Sequence, residues 1–326
     1  MVIRLFRRHL VLACVCILAV AVAVTRAVNY NRSEPAAQAG LPVSQGDPPS
    51  ASAPAESPAS SSGASGEMRA VWVPYMSLDM SREADRSETA FLRKFDSIIQ
   101  VAKSCGMNTL VVQVRPFGDA LYPSEYFPWS HTVGGTQGVD PRYDPLKDMD
   151  ACHKAGLSIH AWVNPLRIQT TGTPSILAAG NPYNKFRQDA AKADFVVDCA
   201  KGKYYNPAYE EVRKLIADGV REIAKKYDVD GIQFDDYFYP VPDASFDQKA
   251  YAAYCASAKK TGTPLALGDW RRGNVSALVS LVYRSVKAVR PDLPFGIAPQ
   301  GNVRNDLGMG ADVASWCSAR GYVDYI

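Results

Sequence analysis

The sequence predicts an α/β protein with a (β/α)8 barrel of the TIM type, and two features of the chain favour this fold. From about residue 67 onward, short apolar strands alternate with amphipathic helices, as in a parallel sheet with helical crossovers. The long connections, notably 116–143 and 165–205, follow strands rather than helices, and barrels build their sites from such loops. An open doubly wound sheet is less favoured because no glycine-rich phosphate-binding fingerprint follows the first strand.

Six strands are predicted in chain order. Gly106, Gly156 and Gly321 each follow a predicted helix end and precede a strand by about two residues, which is typical of C′ glycines and short αβ loops. Because a barrel of this type needs eight strands, we expect the chain to be truncated, without its last two βα units and any catalytic group that they carry. The predicted strands are 69–73, 109–115, 158–164, 231–235, 295–298 and one that begins at Val323.

Three predicted helices show apolar residues at helical spacing. Ser87 can cap the first, and Asn206 and Pro207 supply a cap and a first-turn proline for the second. The third extends over 274–291 and ends at a proline. These helices would cover the outer face of the barrel.

The first 66 residues predict an export segment and a linker. Arg4, Arg7 and Arg8 precede an apolar run over 10–24, which suits the core of a signal peptide better than a full membrane span, although an uncleaved anchor stays open. The next residues are rich in Ala, Ser and Pro and have almost nothing to bury. We therefore expect an extracytoplasmic protein, secreted or anchored to the cell membrane by its N-terminal segment. The predicted regions are an export signal or membrane anchor (1–30), a disordered linker (31–66) and a barrel domain (67–326).

Composition gives no sign of a nucleic-acid partner. The chain has 36 basic and 33 acidic residues spread along its length, for a net charge of +3. Nucleic-acid-binding domains usually carry a basic patch or block, and none stands out in this sequence. The 47% of hydrophobic residues allows a substantial core.

Cysteines and histidines do not suggest a disulfide framework, a metal or a cofactor. Five of the seven cysteines fall in the domain, an odd number without a CxxC pair, and Cys105, Cys152 and Cys317 lie in helix-like apolar patterns, so we expect buried thiols. The histidines form no HxH or HExxH arrangement, and the GxSxG of a serine hydrolase is absent from the sequence. The domain histidines are His131, His153 and His160.

The segment 230–239 predicts a carboxylate at the end of a buried strand. Alternation places the apolar residues of this strand on one face and Gln233 and Asp235 on the other, with Asp236 at the start of the following loop. Carboxylates at the C-terminal end of a barrel strand are usually functional, because the packed interior below tolerates few charges. The structural alternative is that Asp235 or Asp236 caps a helix or forms an Asx-turn.

Five separate segments, in order along the chain, carry a resemblance to a known family. They read MRAVWV (68–73), QVRP (113–116), GDALYPS (118–124), WVNP (162–165) and DDYFYP (235–240). Together they resemble the glycosyl-hydrolase-like 10 family of bacterial envelope proteins, over essentially all of residues 67–326. The resemblance implies a TIM-type barrel that acts on cell-envelope glycans built from N-acetylhexosamines.

Asp235 is the best candidate for an essential carboxylate in such a reaction. Glycosidic cleavage needs one carboxyl group to protonate the leaving oxygen and a second group to supply or activate the nucleophile. Adjacent residues on a strand point apart, so Asp236 is not an assured partner. Asp119, Asp269 or a residue beyond Ile326 are the other options, and the stereochemical outcome stays open.

The remaining candidates are expected to bind the glycan. Gln113 and Arg115 should share one face of their strand, as Trp162 and Asn164 share one face of the next, so all would reach the barrel mouth. Arg115 is equally well explained as an ion-pair partner of Asp235. Aromatic rings in loops suit stacking on sugars, although many loop aromatics simply pack under the loops. The predicted substrate-binding residues are Trp72, Gln113, Arg115, Asp119, Asn164, Arg167, Tyr237, Tyr239, Asp269 and Trp270; His160 is expected to be an interior histidine.

Three functional hypotheses follow. The first is an exported glycoside hydrolase that cleaves peptidoglycan glycan strands or a related N-acetylglucosamine polysaccharide. The second is a non-catalytic glycan-binding barrel of the cell envelope. The third is a barrel hydrolase that acts on another envelope ester or amide and cleaves no glycosidic bond.

Overall fold

Five parallel strands form the central sheet of the structure, a computed structural model that describes residues 67–236 and 238–326. The strands are β1 (Ala70–Val73), β2 (Thr109–Arg115), β3 (Ser158–Val163), β4 (Arg167–Gln169), β5 (Val196–Cys199), β6 (Gly202–Tyr205), β7 (Gly231–Phe234) and β8 (Phe295–Ile297). The parallel sheet has the order β1-β2-β3-β7-β8, which is the order of the chain. A doubly wound sheet would reverse its order at a switch point, so the predicted barrel-type fold is confirmed. The predicted export segment, the linker and Tyr237 lie outside the described residues.

The sixth strand predicted at Val323 corresponds to a single parallel bridge to β8. Tyr325 forms a parallel bridge with Gly296 of β8, and the backbone N–H of Asp324 donates to the carbonyl of Phe295 at 2.8 Å. The chain therefore continues along the edge of β8 in the direction that a barrel requires.

The long connection 165–205 contains a second sheet, which was not predicted from the sequence. Strands β4, β6 and β5 form an antiparallel sheet in that order. Gly202 has a φ of 126°, and a Cβ atom there would lie 2.0 Å from the carbonyl oxygen of Gln169, so glycine allows the hairpin to approach β4. Strands of three or four residues are too short to give a clear alternating pattern.

Helices cover the parallel sheet. The side chain of Ser87 caps the first helix by accepting a hydrogen bond from the N–H of Ala90, as predicted. Gly106, Gly156 and Gly321 have positive φ angles of 71°, 77° and 95°, which confirms their predicted C′ role. The helices are α1 (Glu88–Ser104), α2 (His131–Gly134), α3 (Pro145–Asp148), α4 (Ala151–Lys154), α5 (Pro182–Gln188), α6 (Glu210–Lys226), α7 (Gln248–Ala258), α8 (Leu267–Lys287), α9 (Val303–Gly308) and α10 (Val313–Ser318).

The inner face of the sheet is filled around His160. Strand register places His160 beside Gly231, and a Cβ atom at Gly231 would lie 2.5 Å from the imidazole ring. His160 Nδ1 lies 2.8 Å from the hydroxyl of Tyr325, whose ring covers Gly296 in the same way. Burial lowers the pKa of His160. The expectation of an interior histidine with a polar partner is confirmed.

Cysteine burial differs from the expectation. The five described cysteines are free, and Cys152 is buried, but Cys105 and Cys317 are exposed because they fall at or near helix ends. Within residues 67–236 and 238–326, the structure has no helix of the length and apolar character that membrane crossing requires.

Candidate active site

Asp235 lies directly after β7, at the C-terminal edge of the parallel sheet. Its side chain is nearly buried, with 5% exposure. Its Oδ2 accepts hydrogen bonds from the indole Nε1–H of Trp162 and from the Nδ2–H of Asn164, both at 3.0 Å. Both donors come from β3 or the residue that follows it, so two neighbouring strands fix the orientation of the carboxylate. Two N–H donors therefore converge on one oxygen of this carboxyl group, which acts as the acceptor.

Asn164 is a positioning residue in this arrangement. It is fully buried, and while its Nδ2–H donates to Asp235, its Oδ1 accepts from the backbone N–H of Arg167 at 3.0 Å. Both ends of the amide are therefore engaged with protein atoms. The expectation that Asn164 hydrogen-bonds a sugar is replaced by a role in holding Asp235.

Trp162 was placed on the correct face by sequence alternation but was not predicted as a site residue. Its ring meets Trp72 edge to face, with ring centroids 4.8 Å apart and an interplanar angle of 83°. Trp72 is 42% exposed. The pair thus places an accessible aromatic surface next to the group that holds Asp235, and the role of Trp72 in sugar binding stays a prediction.

The prediction that Gln113 and Arg115 share one face of β2 is wrong. The register between β2 and β3 shifts so that Gln113 pairs with Trp162, while Arg115 pairs with Val163, a residue of the opposite, helix-facing side. The irregularity behaves as a β-bulge, which reverses the facing of every later residue in the strand. Gln113 stays on the inner face, where its Oε1 accepts from the backbone N–H of Tyr75 at 3.2 Å.

Arg115 consequently lies in the layer between the sheet and α6. Its guanidinium group stacks on Phe127 at 4.3 Å from the ring centroid and packs against Gly219. Burial lowers the pKa of Arg115. Its position does not fit a sugar ligand at the barrel mouth, because the bulge has turned it away from that face.

Asp119 is fully buried inside the loop after β2 rather than open to substrate. Its Oδ2 accepts from the Nε2–H of Gln137 at 2.9 Å and lies 3.5 Å from Nδ1 of His131. Gln137 Oε1 in turn accepts from the Nδ2–H of Asn181 at 3.0 Å. This network joins the loops that follow β2 and β3, which removes Asp119 from the candidates for a second catalytic carboxylate.

Arg167 spans the same two loops from the surface. Its Nε–H donates to the carbonyl of Pro116 at 3.0 Å, and its guanidinium group lies 5.0 Å from the ring centroid of Phe117. Arg167 is partly exposed, so its predicted contact with a sugar stays open. Asp236 is likewise partly exposed beside Asp235.

Three residues predicted near the mouth contact the helical layer instead. Tyr239 is 1% exposed, with the guanidinium group of Arg271 at 4.8 Å from its ring centroid, and burial raises its pKa. Trp270 is packed against two tyrosines of α7, at centroid distances of 5.2 and 5.7 Å. Asp269 is exposed and pairs with Arg272. Asp269 and Trp270 were expected in a loop, but α8 begins at Leu267, seven residues before its predicted start.

A group with metal-ligand chemistry lies at the opposite end of the barrel. Ligand atoms of Asp150, His153 and Asp228 fall within 4.8 Å of one another, next to a cavity of about 740 Å³. His153 contacts Asp150 Oδ1 at 2.8 Å and Asp230 Oδ2 at 2.9 Å, so both ring nitrogens already face carboxylates. Asp230 immediately precedes β7, which places this group and its cavity at the N-terminal edge, away from Asp235. Barrel enzymes hold their active sites at the other edge.

Comparison with known proteins identifies the family of the chain and agrees with the barrel fold. The glycosyl hydrolase-like 10 family matches residues 67–326. Glycosyl hydrolase YngK of Bacillus subtilis is 35% identical over 282 residues, covering 80% of this chain and 53% of that protein. Glycosyl hydrolase DigH of Escherichia coli K12 is 33% identical over 284 residues, covering 81% of this chain and 61% of that protein. The chain thus spans between about half and three fifths of the length of these relatives.

A solved structure supports the fold. The glycoside hydrolase domain of PgaB (BpsB) from Bordetella bronchiseptica aligns with a TM-score of 0.51 over 78% of this chain and 72% of that chain. Sequence identity is 14%, so the likeness concerns the barrel architecture and not the substrate.

Proposed function

Because the chain belongs to the glycosyl hydrolase-like 10 family, we propose that it is a glycoside hydrolase that cleaves cell-envelope glycans with Asp235 as an essential carboxylate. The substrate class is peptidoglycan glycan strands or a related polysaccharide containing N-acetylglucosamine. Family membership supports the reaction class, and the names of two relatives describe them as glycosyl hydrolases.

The position of Asp235 is the observation that carries the proposal. Catalytic groups of TIM-type barrels sit at the C-terminal ends of the strands, and Asp235 directly follows β7 with its orientation fixed by Trp162 and Asn164. Most glycosidases use carboxyl groups in defined orientations and no cofactor. Asp235 would act as nucleophile, general base or general acid in this reaction.

The proposed location is extracytoplasmic. The apolar run over 10–24 that follows three arginines supports export, and the segment 31–66 would allow the domain to reach glycans near the membrane. If the N-terminal segment is not cleaved, it is the membrane partner of the protein. A polysaccharide outside the membrane is consistent with such an arrangement.

Product release from purified glycan strands tests the proposal. The full chain and its Asp235→Asn variant are incubated with peptidoglycan glycan strands, with and without peptide stems, and released sugars are identified by mass spectrometry. Asp292→Asn is the matched control, because the side chain of Asp292 is 81% exposed on the surface. We expect oligosaccharides from the wild type and the control and none from Asp235→Asn; release by Asp235→Asn at the wild-type rate would refute the role of this residue.

A non-catalytic glycan-binding barrel is the second candidate, and one observation favours it. Of the partner carboxylates predicted within residues 67–326, Asp119 is enclosed in its loop and Asp269 lies on α8, which leaves Asp236, adjacent in sequence to Asp235. Adjacent residues rarely flank one glycosidic bond. Binding of glycan strands without release of any product by the wild type would support this second function.

A further inference from the structure

We propose that Tyr75 and His131 form a second sugar-binding position on the rim that carries Asp235, and that Asp119 positions His131 there. This inference rests on the proposed function, since it assigns the ligand as a neighbouring sugar of the same glycan chain. None of these residues is adjacent to Asp235 in sequence, and the sheet order brings them to one edge.

The strand order places the two positions in a row. Tyr75 follows β1, Phe117 follows β2, Arg167 follows β3 and Asp235 follows β7, all at their C-terminal ends. Because these strands are neighbours in the order β1-β2-β3-β7, the residues lie along one edge of the sheet. Neighbouring strands are about 4.8 Å apart, so β2 and β7 are separated by roughly 10 Å. A chain of sugars bound at Asp235 and extending along this rim would reach Phe117.

Three rings form the surface of this position. The ring centroid of Phe117 lies 5.1 Å from that of Tyr75 and 5.7 Å from that of His131, and Tyr75 and His131 are 6.4 Å apart. Phe117 is buried, whereas Tyr75 and His131 are partly exposed. Phe117 therefore supports the other two rings, which present flat apolar faces with polar edges. Such rings stack well on sugar faces.

His131 is held by a carboxylate behind it. Its side chain is 17% exposed, while that of Asp119 is fully buried, and Nδ1 faces Asp119 Oδ2 at 3.5 Å. A carboxylate at Nδ1 favours the tautomer with the proton on that nitrogen, which leaves Nε2 as an acceptor for a sugar hydroxyl. Hydrogen positions are assigned from the surrounding hydrogen-bond network, and the carboxylate of Asp119 assigns the proton of His131 to Nδ1.

Asp119 is itself fixed by the two loops. Gln137 donates to Asp119, and Gln137 Oε1 accepts from Asn181 Nδ2–H and from the backbone N–H of Ala178. Burying a carboxylate disfavours folding unless its hydrogen bonds compensate, and within the described residues Asp119 Oδ1 has no hydrogen-bond partner. A structural role alone would be served as well by a neutral amide. If Asp119 orients the partly exposed His131, the presence of an acidic residue at this position is explained.

Binding of oligosaccharides tests the inference independently of turnover. The parent is the full chain with Asp235→Asn, so that no ligand is consumed, and the probes are the dimer and hexamer of N-acetylglucosamine. We expect His131→Gln and Tyr75→Ala in this background to weaken hexamer binding by about tenfold, which is the loss of one hydrogen bond or ring contact. Dimer binding should change much less, because a short ligand does not span both positions.

Two further variants separate positioning from structural damage. Asp119→Asn should weaken hexamer binding, though by no more than His131→Gln, and the double variant should lose no more than His131→Gln alone, because Asp119 acts through His131. His153→Gln, at the other edge of the barrel, is the matched control and should bind like the parent. Thermal unfolding of each variant identifies any loss of fold, and Tyr75→Ala and His131→Gln carry the test if Asp119→Asn does not fold.

The outcomes are distinguishable from failure of the proposed function. Unchanged hexamer affinity in Tyr75→Ala and His131→Gln overturns the second position while leaving Asp235 untouched. Additive losses in the double variant overturn the role of Asp119 alone. If the parent binds no oligosaccharide and the wild type releases no product, the proposed function and this inference both fall.

Discussion

The indole Nε1–H of Trp162 donates to Asp235 Oδ2 at 3.0 Å, across the parallel strands β3 and β7. The register that pairs Trp162 with Gln233 brings the ring level with the end of β7, so the tryptophan reaches the residue that follows the strand. An aromatic side chain inside the barrel thus sets the orientation of the carboxylate at its rim. Catalytic groups depend on such support because small misplacements reduce the rate of reaction.

Trp162→Phe should therefore lower the kcat for glycan cleavage by about tenfold and change KM little, since an aromatic ring is kept and the hydrogen bond to Asp235 is lost. Trp316→Phe is the matched control, because the indole N–H of Trp316 donates to Ser276 Oγ at 2.9 Å in the helical layer. Both variants should lose about 1–3 kcal/mol of unfolding free energy in urea titrations, because each loses a hydrogen bond and part of a ring. Equal kcat values for Trp162→Phe and the control would contradict the role of Trp162.

Arg115→Met should retain glycan hydrolysis and unfold at the same or a higher temperature than the wild type. The guanidinium group is buried, and in the described part of the chain none of its nitrogens has a hydrogen-bond partner, so its desolvation is poorly compensated. Methionine keeps the contact with Phe127. Calorimetry and product assays check both expectations, and a variant that folds but loses glycan binding would place Arg115 back among the ligands.

Gly231→Ala should destabilise the barrel by about 1–3 kcal/mol, because the added methyl would enter the ring of His160. Gly273→Ala is the control, and its expected change in unfolding free energy has the opposite sign. It lies inside α8, where an added methyl group would have no neighbour within 4 Å among the described residues, and alanine should stabilise the helix by about 0.5–1 kcal/mol. Urea unfolding of both variants measures the two shifts. An unchanged unfolding free energy in Gly231→Ala would mean that the ring of His160 does not pack against Gly231.

Asp148→Asn should stabilise the protein at pH 8 and have a decreasing effect as the pH falls through 6. Burial, together with the negative charges of Glu88 and Asp144, raises the pKa of Asp148 from 3.8 to about 6. Because the pKa in the folded state is higher than in the unfolded state, the ionised carboxylate disfavours folding above pH 6, and the penalty disappears as the group is protonated. Unfolding free energies of wild type and variant between pH 4 and pH 8 test the sign; a constant difference would contradict it.

The group around Asp235 could be predicted from the alternation of residues in β3 and β7. Alternation assigned Trp162, Asn164 and Asp235 to the inner side, and the hydrogen bonds between them confirm that assignment. The same rule failed for Arg115, because one irregularity between β2 and β3 reverses the facing of the end of the strand. A bulge leaves no signal in residue type at this point, since both Gln113 and Arg115 are polar.

Local sequence was enough to specify the order of the parallel strands, the glycine positions that end three helices, and Asp235 as a carboxylate at a strand end. These features depend on periodicity and backbone conformation, which neighbouring residues set. The enclosure of Asp119 by Gln137 and the packing of Trp270 on α7 emerged from the three-dimensional arrangement alone. Burial of a polar or aromatic side chain depends on which distant segments cover it, and no local pattern of residues contains that information.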